Sequence, residues 1–140
     1  MASAIIFLPF ISFLFCFLFG KQFQFIIFQV SSTAILFLCT IFSWIIFFEF
    51  LGNKETQIIY ILNWITSGSF IVDWSIRLDT LTSVMFIVVT TVSACVHLYS
   101  IGYMGEDPSK VRFMGYLSLF TFFMLVLVSS NNLLQMFFGW

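Results

Sequence analysis

Charge is what this sequence has least of. Only 8% of its 140 residues are Asp, Glu, Lys or Arg, against 61% that are apolar, and mean hydropathy is +1.12. A soluble domain carries about 25% charged residues, so this composition excludes a water-covered globule. Lys and Arg number 5 in all, too few and too scattered to cluster on a nucleic acid or an anionic lipid surface. Cysteine is scarce as well. Cys16, Cys39 and Cys95 stand singly, without a C-x-x-C pair and without a His at metal-ligand spacing. They are expected as small apolar core residues. Also missing are a Gly-rich phosphate loop, a carboxylate pair and a nucleophile constellation. No cofactor or metal site is expected from these residues, and no covalent chemistry.

What the sequence does have is uninterrupted apolar length. Residues 1–20, 22–48, 80–105 and 113–140 contain no Asp, Glu, Lys or Arg. A helix of roughly 20 apolar residues crosses a bilayer core of about 30 Å, and one Asp, Lys or Arg at its centre costs about 2.5–3.5 kcal/mol. The first segment has no basic start and no A-x-A site, so it reads as a retained helix rather than a cleaved leader, with a kink expected at Pro9. The second, over residues 25–48, carries Ser31, Ser32, Thr33, Thr40 and Ser43. Hydroxyls of this kind bond back to their own helix or mark a packed face. The expected fold is an all-α integral membrane protein: four transmembrane helices and the start of a fifth, with a β-hairpin between helices 2 and 3.

The organisation follows from that count: helices 1 and 2 over residues 1–51, an extramembrane hairpin over 52–79, helices 3 and 4 over 80–132, and the opening of helix 5 over 133–140. Within 52–79, two runs rich in β-branched and aromatic residues, 58–65 and 70–78, flank Thr66-Ser67-Gly68-Ser69. That is a hairpin signal. The second run alternates Trp74, Ile76 and Leu78 with Asp73, Ser75 and Arg77, as a strand with one wet face would. Trp64 and Trp74 suit interfacial depth. Asp79 or Thr80 supplies the N-cap of helix 3.

His97 is the one histidine, near the end of helix 3. It is the candidate proton relay, since imidazole titrates near neutral pH. The blander reading places it at the membrane interface, bonded to a backbone carbonyl or a headgroup. Gly102, Gly105 and Pro108 break the helix before Lys110 and Arg112. Three basic residues (Lys21, Lys110, Arg112) against two (Lys54, Arg77) place the N-terminus outside and the 106–112 loop on the cytoplasmic or matrix side.

After Ser129-Ser130-Asn131-Asn132, only the eight largely apolar residues 133–140 remain. At about 1.5 Å per residue they reach less than half a bilayer. Gly139 and Trp140 are therefore expected at a junction where a second polypeptide completes helix 5, a truncated chain being the competing explanation.

The wording now becomes specific. Tyr103-Met104 with Asp107-Pro108, then Arg112-Phe113 and NNLLQMFFGW to Trp140, resemble chain 5, the L-type antiporter-like subunit of respiratory complex I, most strongly over residues 70–140. Related subunits of multisubunit cation/proton antiporters share part of this pattern. The resemblance implies a portion of a proton-translocating NADH:ubiquinone oxidoreductase that braces the antiporter-like unit. NADH, FMN, iron–sulfur clusters and ubiquinone would be bound by other subunits. In that family a glutamate follows the Gly-Trp pair on helix 5 and is central to proton translocation, so none of the family's pumping residues maps onto a position here. Other membrane-arm subunits, membrane lipid and a completing chain are the implied partners, and no nucleic acid. The 22 phenylalanines point to an AT-rich genome and hence the mitochondrial inner membrane, with a bacterial plasma membrane as the alternative. A free-standing membrane scaffold or assembly protein is the reading from a different class.

Overall fold

A computed structural model describes residues 2–19, 25–52 and 55–140. In chain order it has α1 (Ala2–Phe19), α2 (Phe25–Gly52), β1 (Gln57–Ser67), β2 (Phe70–Leu78), α3 (Thr80–Tyr103), α4 (Lys110–Val128) and α5 (Leu133–Gly139). The first four helices are long and apolar enough to cross a membrane. Their outward faces carry Ile11, Phe17, Ile26, Ile41, Phe48, Val92 and Phe120, all exposed, as a lipid-facing surface requires. The helix of α1 is continuous across Pro9. Lys21 and Lys54, which entered the charge count for membrane orientation, lie outside the described residues.

The bundle packs α1 on α2 and α4, and α3 on α2 and α4. Its hairpin end is closed by an apolar core of Ile5 and Ile6 from α1, Ile46 and Phe50 from α2, Phe86 from α3, and Phe122, Leu125 and Val126 from α4. Ile76 and Leu78 of β2 complete this core, so the hairpin is seated on the bundle. At the far end a smaller group of Cys16, Phe28 and Val111 packs together.

The two strands pair antiparallel from Gln57↔Leu78 to Ser67↔Phe70. The turn is tighter than the expected four-residue loop, because Thr66 and Ser67 still belong to β1 and only Gly68 and Ser69 remain. Gly68 has φ +60°, the conformation a two-residue turn demands at its first position and that glycine adopts without a Cβ clash. Asp79 is the N-cap of α3, its carboxylate accepting from the Thr82 N–H at 2.8 Å. Helix 4 starts at Lys110, three residues before the apolar run that signals it.

Candidate functional site

Midway along the bundle the packing changes character. Ser12 of α1, Ser32 of α2 and Ser118 of α4 meet at one point. Ser12 Oγ donates to Ser32 Oγ at 2.9 Å, and Ser118 Oγ lies 3.0 Å from Ser32 Oγ and 3.3 Å from Ser12 Oγ. Three helices approach this closely because each presents a small side chain there. Gly115, one turn before Ser118, would put a Cβ 3.4 Å from Cys16 Cβ. Small residues at helix contacts let backbones close in where lipid gives no hydrophobic drive for helix association.

The fourth helix joins through His97. Its Nε2 is 3.2 Å from Ser118 Oγ, and its Nδ1 is 2.8 Å from the Ser93 carbonyl oxygen. A carbonyl oxygen only accepts, so the proton sits on Nδ1 and Nε2 offers a lone pair to the Ser118 hydroxyl. Ser118 has one proton to give. It is shared between Nε2 and the Met114 carbonyl at 3.1 Å. Ser12, Ser32, His97 and Ser118 are all at most 1% exposed.

The expectation of an interfacial His97 is therefore corrected. The ring does bond a backbone carbonyl, but one inside the bundle, with a serine in place of a headgroup. It turns inward because α3 also directs Thr82, Phe86, Thr90, Ala94 and Ser100 to the interior, and position 97 shares that face at helical spacing. Further hydroxyls line the same seam. Thr90 Oγ1 donates to the Phe86 carbonyl at 2.6 Å and lies 3.3 Å from Ser43 Oγ, while Ser93 Oγ pairs with Thr121 Oγ1.

Most hydroxyls of α2 bond their own helix, as expected: Thr33 to Gln29, Thr40 to Leu36 and Ser43 to Cys39, each at 2.8–2.9 Å. Ser32 instead crosses to α1 and α4, and Ser43 also meets Thr90 of α3. Cys16 and Cys39 are buried as expected, but Cys95 is exposed on the outer face of α3, two positions from His97 and so turned away from it. Among the described residues no group of His, Cys, Asp and Glu could hold a metal ion.

A second polar assembly lies where β2 meets the α4–α5 connection. The expected wet face of β2 is not wet at Ser75, which is 1% exposed, because Gln135 of α5 covers it. Ser75 N–H donates to Gln135 Oε1 at 3.3 Å, and Arg77 N–H donates to the Ser129 carbonyl at 2.9 Å. Asn132 works in both directions. Its Oδ1 accepts from the Gln135 N–H at 2.8 Å, capping α5, while its Nδ2 donates to the Asp73 carbonyl at 2.8 Å. Trp64, Trp74 and Phe138 stack edge to face with centroids 5.1–5.8 Å apart. Those tryptophans were expected at interfacial depth; they hold α5. Gly139 rests on α4, where a Cβ would fall 2.8 Å from Leu127 N. Trp140 is 89% exposed.

Among the described residues outside the spans, Asp79 is the group whose ionisation is shifted. Burial alone would raise its carboxyl. The Thr82 N–H and the Arg77 guanidinium, whose Nε lies 3.3 Å away, outweigh that and hold it below the usual carboxylate range.

Ser12, Ser118, Asn132 and Gln135 were not singled out by sequence reasoning. The signal for the first two was available: Ser12 with Cys16, and Gly115 with Ser118 and Thr121, are small residues recurring three or four apart, the spacing of a close helix contact. Asn132 and Gln135 have the spacing of an N-cap and its N3 residue, which foretells the cap but not the strand they reach.

The sequence is similar to those of known proteins. The family described as NADH-ubiquinone oxidoreductase (complex I), chain 5 N-terminus, matches residues 64–114. NADH-quinone oxidoreductase subunit L of Rhodobacter capsulatus is 55% identical over 118 residues, covering 79% of this chain and 16% of that protein. The protein of the same name from Rickettsia felis is 49% identical over 142 residues, covering 100% of this chain and 22% of its own length. NADH-ubiquinone oxidoreductase chain 5 of Phytophthora infestans is 48% identical over 140 residues, covering 97% and 20%. The chain thus spans about a fifth of the length of these relatives.

Proposed function

The chain belongs to the family of NADH-ubiquinone oxidoreductase chain 5 and NADH-quinone oxidoreductase subunit L proteins, and from that premise we propose that it serves as the N-terminal portion of the proton-translocating subunit of a membrane-embedded NADH:quinone oxidoreductase. Its task there is to brace. One observation carries this reading: each of the four spanning helices contributes one side chain to a single buried knot of Ser12, Ser32, His97 and Ser118. Such a knot fixes the mutual rotation of the helices. It supports a framework for proton-carrying elements elsewhere in the assembly.

His97 is part of that brace. Its Nδ1 proton is committed to a carbonyl that cannot pass it on, which supports bracing over the relay role. The chain's partners are the other membrane-arm subunits and the lipid around the exposed faces of α1 to α4, in a mitochondrial inner membrane. NADH, flavin, iron–sulfur and quinone sites belong to other subunits.

The test is co-purification in mild detergent. The chain should stay with NADH-oxidising activity through native separation; migration apart from it would favour a free-standing scaffold or assembly protein. The intact mass of the co-purified polypeptide then distinguishes a separate chain near 16.2 kDa from one several-fold larger in which these residues are the opening segment.

A further inference from the structure

The inner edge of β2 is paired to β1, and its outer edge would be left with unmatched N–H and C=O groups. Residues 129–135 supply the partners. Along β2 the alternate residues 73, 75 and 77 turn backbone groups away from β1, and each finds one partner: Asp73 O takes Asn132 Nδ2, Ser75 N–H takes Gln135 Oε1, and Arg77 N–H takes Ser129 O. Ile76 and Ser130 form an antiparallel bridge in the same row. The α4–α5 connection therefore acts as a third strand, built from one backbone bond and two side-chain bonds.

The helix that follows is held along one face, with Leu133 and Phe137 exposed on the other. Its first turn is capped by Asn132, the same side chain that grips β2. Phe138 stands among Trp64, Trp74 and Phe123, and Gly139 touches the backbone of Leu127. These contacts bear on the direction in which α5 leaves the connection.

We propose that β2 and residues 129–135 form one rigid clamp that fixes the entry point and direction of α5, with Asn132 and Gln135 as its positioning residues. The hairpin and the fifth helix then move as one body. The sequence placed the hairpin and the polar step 59 residues apart, as Asp73 and Asn132 are; the clamp makes them a single part. Its bearing on turnover rests on the functional reading above, but its mechanical content does not.

Amide hydrogen exchange, read residue by residue on the native membrane complex, tests it. Gln135→Leu removes the acceptor of one amide, that of Ser75. A rigid clamp loses protection together: the amides of Ser75, Arg77 and Met136 should all exchange about fivefold faster, the factor expected for one lost hydrogen bond. Faster exchange at Ser75 alone would overturn the proposal, because the contacts would then be independent. Should the variant fail to assemble, the unaltered complex still decides. There the same amides should share one opening free energy, and clearly different values would overturn the clamp.

A second arm locks it. The bridge pair has Cα atoms about 4.5–5.5 Å apart, within disulfide reach, so Ile76→Cys with Ser130→Cys should crosslink on oxidation. NADH:quinone turnover and proton translocation of the crosslinked enzyme should equal those of the reduced one. Loss on oxidation that reductant restores would mean the hairpin and α5 must slide past one another, and failure to crosslink would contradict the pairing; either overturns the clamp. A chain that leaves the NADH-oxidising assembly would defeat the functional reading while leaving the exchange result to stand or fall by itself.

Discussion

The two halves of the bundle are held by different forces. Towards the hairpin, Ile5, Ile6, Ile46, Phe86, Phe122 and Leu125 form one apolar cluster. Half the bundle's length away, Ser12, Ser32, His97 and Ser118 meet through hydrogen bonds. In water the first half would supply most of the stability. In lipid, burying an apolar side chain against another gains little over burying it in hydrocarbon, and what remains is van der Waals fit. The apolar half therefore discriminates by shape and the polar half by direction. Large side chains keep the helices a fixed distance apart, while the serines draw them together and set their rotation.

This contrast can be broken most severely from the apolar side. Val126→Arg places an unpaired charge in the core at the hairpin end, where Val126 is buried, at a cost on the order of several kcal/mol; the assembled protein should nearly vanish from native gels. Normal assembly would show that α4 does not pack as described. Smaller but still large is Leu125→Ala. Leu125 is 0% exposed, and truncation should cost about 2 kcal/mol or more.

Ser118→Ala, measured beside it in the same detergent-unfolding assay, should cost only about 0.6–1.7 kcal/mol, the span observed for hydrogen bonds between membrane helices. Equal losses at the two positions would mean that the two halves are not energetically distinct. His97→Gln keeps a donor and an acceptor on a chain of similar reach. Assembly and proton translocation should both stay close to normal. Assembled enzyme with translocation strongly reduced would instead restore the relay role.

The smallest effect lies at the rim. The Asp79 carboxyl is held below its unfolded value, so its contribution is present above the unfolded value and fades as pH falls through the folded one. Asp79→Asn should flatten the acid limb of the stability profile and leave neutral pH nearly unchanged. A profile with an unaltered acid limb would show that the Thr82 and Arg77 contacts do not act on the carboxylate.

How much of this was legible beforehand depends on whether the cue was local. Four charge-free runs and the Gly68 turn are local, and the four long helices and the hairpin they announce are present. The N-cap at Asp79 was equally plain. The knot was half legible. Small residues spaced along α1 and α4 signal close contact, but nothing in a single helix says that Ser32, alone among its neighbouring hydroxyls, will cross. His97 was misplaced for a similar reason. Proximity to a helix end in sequence suggested the interface, whereas its rotation about α3, shared with Thr90 and Ala94, decided its burial. The clamp was invisible, because Ser75 reads as an outward-facing strand residue until Gln135 arrives from another part of the chain.

One feature of the knot bears on leakage. Three hydroxyls in direct contact at 2.9–3.3 Å leave no room between them for a water molecule. Hydroxyls can still hand protons along a file, so a dry waist is not in itself insulating. What breaks the circuit is the orientation of the imidazole. A proton arriving through Ser118 would charge Nε2, and the proton displaced from Nδ1 could go only to the carbonyl of Ser93, which has no proton of its own to release onward. On the proposed role, in a membrane that stores energy as a proton gradient, His97 would act as an insulator: a polar fastening that holds four helices together without short-circuiting them.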